Sequence, residues 1–189
     1  MLLGLCSAES LVLADAVLGA GEALGATMFT GIFVPGLNRR TYLANSQCRV
    51  ETFFLTPELK AAGAAVRLLP LCYGDILARL ANIRIDAALF MTTPPDADGM
   101  CGFGPVVDFL AELWPRIPVR IAHLNTRLPR AASACRIPFS ELTAYVEGEQ
   151  TLLAFAEGAG DAISAAIGAS VARFVSDGAT IQSGQFYRS

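Results

Sequence analysis

The 189-residue chain has one histidine, no Cys-x-x-Cys pair, no lysine and arginine cluster, and no long unbroken apolar run. Each absence excludes something. With His123 alone, any Ser-His-Asp or Cys-His mechanism must run through that residue. No Gly-x-Ser-x-Gly elbow accompanies it, and Ser183 before Gly184 is not one. His123 falls at a strand end and reads as a structural residue hydrogen-bonded near the sheet edge. The five cysteines, Cys6, Cys48, Cys72, Cys101 and Cys135, are odd in number and widely spaced, which indicates neither a disulfide framework nor a zinc site. Reduced thiols and a cytoplasmic location are expected. A net charge of -3 without a basic patch argues against nucleic acid, since phosphate binding needs concentrated positive charge. The opening MLLGLCSAES lacks a positive n-region, and residues 23–38, the longest uncharged stretch, are broken by Gly25, Gly31, Pro35 and Gly36. Neither export nor membrane insertion is expected.

Charge itself is scarce. Charged residues make up 16% of the chain and hydrophobic ones 53%, with a mean hydropathy of +0.48. Such apolarity points to surface meant for another domain or subunit, so a homo-oligomer or a domain partner is expected. The most informative stretch present is DAALFMTTPPDADGMCGFG, residues 86–104. Residues 87–91 are a short apolar run, as in a central parallel strand covered on both faces. Pro94 and Pro95 end it, because proline cannot donate to the ladder. Gly99, Gly102 and Gly104 permit turns, and Pro105 suits the first turn of a following helix, VVDFLAELW. In open α/β sheets ligands sit beyond the carboxyl ends of strands, where this loop would lie.

Strand-like and helix-like segments alternate along the chain, which implies an α/β fold: an open, mainly parallel sheet flanked by helices. Residues 1–5 read as a buried strand, with Ser7 capping a helix that runs to Gly19. Strands are expected at 27–34, 50–55, 66–69 and 119–124, a short helix from Pro57, and a helix at 74–81. The segment RLPRAASACRIPFSELTAYVEGE reads as loop, short strand, small helix and polar exit. Residues 161–176 form the clearest helix, capped by Asp161 and ended by Gly178. A strand start, ATIQSG, follows.

In this order the segments FTGIFVPGLNR, ETFFLTPELK, DAALF with PPDADGMCGFG, RIAHLNTRLPR, and the last helix with DGATIQSG resemble the acetyl-CoA hydrolase / 4-hydroxybutyrate CoA-transferase family, within the coenzyme A transferase group. The resemblance covers nearly the whole chain, as an N-terminal half. It implies residues 1–153 as an N-terminal CoA-transferase-like α/β domain, and 154–189 as linker, helix and first strand of a truncated second domain. It also implies the activity. A glutamate in the second domain attacks an acyl-CoA thioester, giving an anhydride and then a glutamyl-CoA thioester, and CoA passes to another carboxylate or to water. The family's glycine-rich loop and its glutamate lie beyond a segment like residues 181–184 and are not present here. The final FYRS departs from the family's pattern. No catalytic residue is therefore assigned. Glu51, Glu141, Glu147, Glu149 and Glu157 all fall in segments resembling scaffold.

Candidate acyl-CoA contacts are Pro94, Pro95, Asp96, Gly99, Cys101 and Gly104 in one loop, Pro35, Gly36 and Asn38 in an earlier turn, and Gln182 and Gly184 at the end. Each has a plainer reading. The loop glycines could simply turn the chain, Asn38 could bond within its own turn, and Cys101 could be a buried, inert thiol. A stand-alone hydrolase would need His123 and Cys101 to meet. A non-catalytic remnant or CoA-binding module, paired with a separate polypeptide, is the alternative from another class. The expected ligands are acyl-CoA, as a substrate, and a small carboxylate. No metal, nucleotide cofactor or haem is expected.

Overall fold

The computed structural model describes residues 1–131, 135–155 and 161–182. It divides into two compact units, Met1–Phe155 and Ala156–Ser189. The first holds a seven-stranded sheet built from β1 (Leu2–Leu3), β2 (Met28–Gly31), β3 (Arg49–Thr52), β4 (Val66–Leu68), β5 (Ala87–Thr92), β7 (Val119–Asn125) and β9 (Ala144–Gly148), ordered β4-β3-β2-β1-β5-β7-β9. Every pairing in it is parallel. A separate antiparallel ribbon joins β6 (Met100–Gly102) to β8 (Arg136–Pro138).

Period-two side chains explain why this sheet needs cover on both faces. In β1, β5 and β7, Leu2, Ala88, Phe90, Ala122 and Leu124 point to one face, where α3 (Tyr73–Asn82) contributes Ile76 and Leu80 and α4 (Leu110–Leu113) contributes Leu110 and Leu113. Leu3, Leu89 and Ile121 point the other way, onto Leu13, Ala14 and Val17 of α1 (Leu11–Ala20) and Leu59 of α2 (Pro57–Ala61). Covered on both faces, β5 is buried along all six of its residues. The α/β architecture with an open parallel sheet is thus the one the alternating segments imply.

Several local expectations change. Ser10, not Ser7, caps α1, its Oγ accepting from Leu13 N at 3.1 Å. Ser7 lies in a 3-10 turn, Cys6–Ala8. The helix expected from Pro105 is reduced to the four residues of α4 and a 3-10 turn, Trp114–Arg116, because residues 104–109 turn instead, with Asp108 left-handed at φ 48°. The small helix and polar exit expected after Pro138 are a 3-10 turn, Phe139–Glu141, and then β9, the sheet's last strand. Exposed strands carry no apolar run, so only pairing with β7 reveals β9.

In the second unit α5 (Ala162–Ala172) is capped by Asp161, whose Oδ1 accepts from Ser164 N at 2.7 Å. Its residues are uncharged and largely apolar on every side, yet each residue from 161 to 182 is exposed. A helix apolar all round is normally an interior helix. Residues 179–182 carry no strand pairing, and the rest of the expected ATIQSG strand lies outside the described residues. No helix among the described residues is long and apolar enough to cross a membrane.

Candidate functional site at the carboxyl edge of the sheet

The strand order reverses direction between β1 and β5: β2, β3 and β4 are added on one side, β5, β7 and β9 on the other. Connections leaving neighbouring strands in opposite directions open a crevice at their carboxyl ends. Here that edge carries an unusual share of buried polar side chains. Glu9, Asn38, His123 and Asn125 are fully buried, and Ser10 and Tyr42 nearly so.

Two sets of hydrogen bonds hold them. Glu9 Oε2 accepts from Asn38 Nδ2 at 2.9 Å and Oε1 from the Tyr42 hydroxyl at 3.0 Å. Asn38 Nδ2 also donates to Cys6 O at 3.0 Å, while its Oδ1 accepts from Val34 N at 2.9 Å. The second set starts at Ser10, whose Oγ lies 2.9 Å from His123 Nδ1. That Oγ also accepts from Leu13 N, so the serine ties the imidazole to the first turn of α1. Nε2 faces Gly148, where a Cβ would stand 3.3 Å away. Burial lowers the His123 pKa, opposed by the Gly148 backbone.

A strap formed by residues 149–155 crosses this edge. Gln150 Nε2 donates to Glu9 O at 2.7 Å, and its Oε1 accepts from Leu11 N, the first amide of α1, at 2.8 Å. Asn125 fastens the strap through Nδ2 to Gln150 O at 2.7 Å and through Oδ1 from Gln150 N at 3.0 Å. Leu153 N donates to Ser7 O at 3.0 Å. Phe155 reaches Gly36, where an added Cβ would be 3.5 Å from its ring.

Among the described residues three non-glycine ones have left-handed backbones, Cys6 at φ 55°, Tyr42 at φ 60° and Asp108 at φ 48°. Such backbones cost of order 1–3 kcal/mol each and concentrate where a site demands them. All three belong to loops at this edge. Burial, with the nearby Asp108 and Glu9 carboxylates, pushes the Cys6 thiol up to about 12, so it is no thiolate nucleophile. Burial likewise raises Asp108.

Among the candidates in the loop after β5, Asp96 pins its own hairpin. Its Oδ1 accepts from Asp98 N at 3.0 Å and Met100 N at 2.9 Å, bonds that hold its carboxyl below the usual carboxylate range, and Oδ2 meets Arg136 Nη1 at 3.3 Å. Gly99, at φ 72°, completes that hairpin. Gly104, at φ 69°, lies so close to Leu128 that a Cβ would fall 2.7 Å from Leu128 Cγ. Pro95 is exposed, while Pro94 lines a cavity of about 360 Å³ with Leu124, Thr126, Glu147, Gly148 and Glu149. Cys101 is fully buried, its thiol raised by burial and opposed by Thr92. It packs among Phe90 and Phe103 on one face, whereas His123 bonds to Ser10; no hydrogen bond joins the two among the described residues. Of the earlier turn, Gly36 is exposed and Pro35 half-buried, but Asn38 supports it from beneath. Gln182 is exposed in the second unit, and Gly184 lies outside the described residues.

Sequence similarity gives this edge a chemical context. The chain is 33% identical over 110 residues, 58% of its length, to a succinyl-CoA:acetate/propanoyl-CoA:succinate CoA transferase of Fasciola hepatica. It is 31% identical over 103 residues to a 4-hydroxybutyrate coenzyme A transferase of Clostridium kluyveri. Over that span the chain is related to coenzyme A transferases. The matched region spans about a quarter of each relative, 23% and 24% of their lengths. No family model matches. The same fold occurs in RipA from Yersinia pestis, with a TM-score of 0.83 at 22% identity over 94% of this chain and 45% of that one. It recurs in a 4-hydroxybutyrate CoA-transferase from Porphyromonas gingivalis, with a TM-score of 0.57 at 20% identity over 80% of this chain and 35% of that one.

Sequence reasoning on this CoA-transferase-related chain missed Cys6, Glu9, Ser10, Tyr42, Asp108 and Gln150. One signal was available: a carboxylate and a capping serine directly between the first strand and LVLADAVLGA. The scaffold reading of other carboxylates fits Glu51, held by Arg79 through two contacts of 2.7 Å, and Glu141, 3.1 Å from Arg120.

Proposed function

We propose that this chain is the N-terminal portion of an acyl-CoA hydrolase or CoA-transferase and forms one wall of its active site. Relatedness to two curated CoA transferases over more than half the chain carries this reading. The substrates are an acyl-CoA and a small carboxylate, and CoA is a substrate rather than a resident cofactor. Residues 1–153 form the first domain, and 154–189 begin a second one, whose remainder covers α5. The turn at 35–38 and the loop at 94–104 face the acyl-CoA.

The chemistry is carboxylate exchange. A glutamate oxygen of the second domain attacks the thioester carbonyl, and CoA leaves as thiolate to give a mixed anhydride. The thiolate then attacks the glutamyl carbonyl, releasing the acyl carboxylate and leaving a glutamyl-CoA thioester. An acceptor carboxylate regenerates an acyl-CoA by the reverse steps, while water releases free CoA. Within the first unit the two carboxylates with almost no exposed surface, Glu9 and Glu51, are engaged by Asn38 and Tyr42 and by Arg79, which supports placing the nucleophile elsewhere.

The test is incubation of the purified chain with acetyl-CoA, with and without acetate or succinate, following CoA release and acyl exchange. The reading expects inactivity alone and activity once a glutamate-bearing second domain is supplied. Activity of the chain alone overturns the placement of the nucleophile; inactivity under both conditions favours a non-catalytic CoA-binding module.

A further inference from the structure

We propose that Glu9 is a positioning residue: its buried carboxyl group clamps Asn38 and Tyr42 and so sets the 35–38 turn against the end of β1. The identity of the ligand at that turn rests on the function proposed above; the clamp does not.

Glu9 follows directly on the turn after β1 and has no accessible surface. Among the described residues neither oxygen meets a cation within hydrogen-bond range; Asn38 takes one and Tyr42 the other. The charged groups around it are few. Arg40, from the loop, pairs with Asp15 of α1 at 2.9 Å, and Cys6 and Tyr42 are held protonated by burial. An apolar side chain would fill this volume without desolvating a carboxylate. What the carboxyl group adds is therefore the two directional bonds.

Those bonds lead to the turn. Asn38 is oriented without ambiguity, because Val34 N donates to its Oδ1, which leaves Nδ2 to span Cys6 O and Glu9 Oε2. The same turn closes through Leu37 N and Asn38 N, both donating to Val34 O, at 3.1 and 3.0 Å. Gly36 stands exposed at its tip with φ 81°. On the far side, Tyr42 is kept left-handed with its hydroxyl on Glu9. Above, Gln150 bonds the Glu9 carbonyl and brings in the strap. One side chain thus joins the end of β1, the turn after β2 and Tyr42, and its backbone meets the strap.

Substitution separates the clamp from mere packing. Glutamine at this position keeps an oxygen for Asn38 and offers its amide to the Tyr42 oxygen, which can accept. Alanine removes both bonds. The experiment measures amide hydrogen exchange by NMR in the whole chain, with Glu9→Gln and Glu9→Ala, together with acetyl-CoA affinity. In Glu9→Ala the amides of Val34, Leu37 and Asn38 should exchange about tenfold faster while those of Leu89 and Ala122 stay within about twofold. Acetyl-CoA binding should weaken about tenfold in the same variant, with Glu9→Gln restoring both. Unchanged turn amides, or equal acceleration throughout the sheet, overturn the proposal. A loosened turn with unaltered affinity upholds the clamp and overturns the placement of acyl-CoA at that turn. If Glu9→Ala fails to fold, Tyr42→Phe, which removes one bond and keeps the ring, is read by the same amides, and no acceleration there overturns the clamp. Wild-type protein that does not bind acetyl-CoA sinks the acyl-CoA reading, and the amides still decide the role of Glu9.

Discussion

The two candidate loops of the site are built on opposite plans. The hairpin after β5 is closed by near neighbours: Asp96 binds the backbone of residues two and four further on, and Thr93 bonds Gly102 in both directions, at 2.8 and 3.0 Å. The turn after β2 rests on Asn38, whose partners Cys6 and Glu9 lie 32 and 29 positions away. A loop closed by its own residues can be read from a short string; one closed from a distance cannot.

Substitutions should separate the plans. The largest loss is expected for Gly104→Ala, which combines a left-handed backbone with a Cβ only 2.7 Å from Leu128 Cγ; roughly 3–5 kcal/mol should disappear in chemical denaturation. Asn38→Ala comes next. It strands Val34 N, Cys6 O and one Glu9 oxygen in the interior, for about 2–3 kcal/mol. Asp96→Ala, on an exposed hairpin, should lose clearly less than Asn38→Ala, with faster exchange confined to Asp98 and Met100. Equal losses for Asn38→Ala and Asp96→Ala would break the contrast.

The smallest effect is a pH dependence. Burial raises the Glu9 pKa, opposed by the bonds from Asn38 and Tyr42. A carboxyl raised in the fold contributes stability that is full below its ordinary value and lost as pH climbs through the raised one. Relative to Glu9→Gln, which does not titrate, the wild type should therefore lose stability as pH rises from the ordinary carboxylate range. A difference that stays flat, or reverses, would mean that the network holds the ionised form without penalty.

Legibility followed the same division. β5, β7 and α3 came from local pattern because an apolar run or a helical stripe is a short-range signal. β9 read as helix and polar exit, since an exposed edge strand lacks that signal until β7 pairs with it. The loop candidates were located by proline and glycine. Their roles were not: Asp96 turned out to close its own hairpin and Asn38 to lie beneath its turn.

By itself the sequence determined the alternation of strands and helices, the two loops at strand ends, the cap of α5 and the coenzyme A transferase resemblance. These depend on residues a few positions apart, where backbone preference and side-chain period act directly. Tertiary structure alone decided the strand order with its reversal beside β1, the strap over that edge, and the meeting of Glu9 with Asn38, Tyr42 and Gln150. Those partners are brought together only when the sheet is assembled and water is excluded, and it is that exclusion which makes an unpaired polar group too costly to leave there.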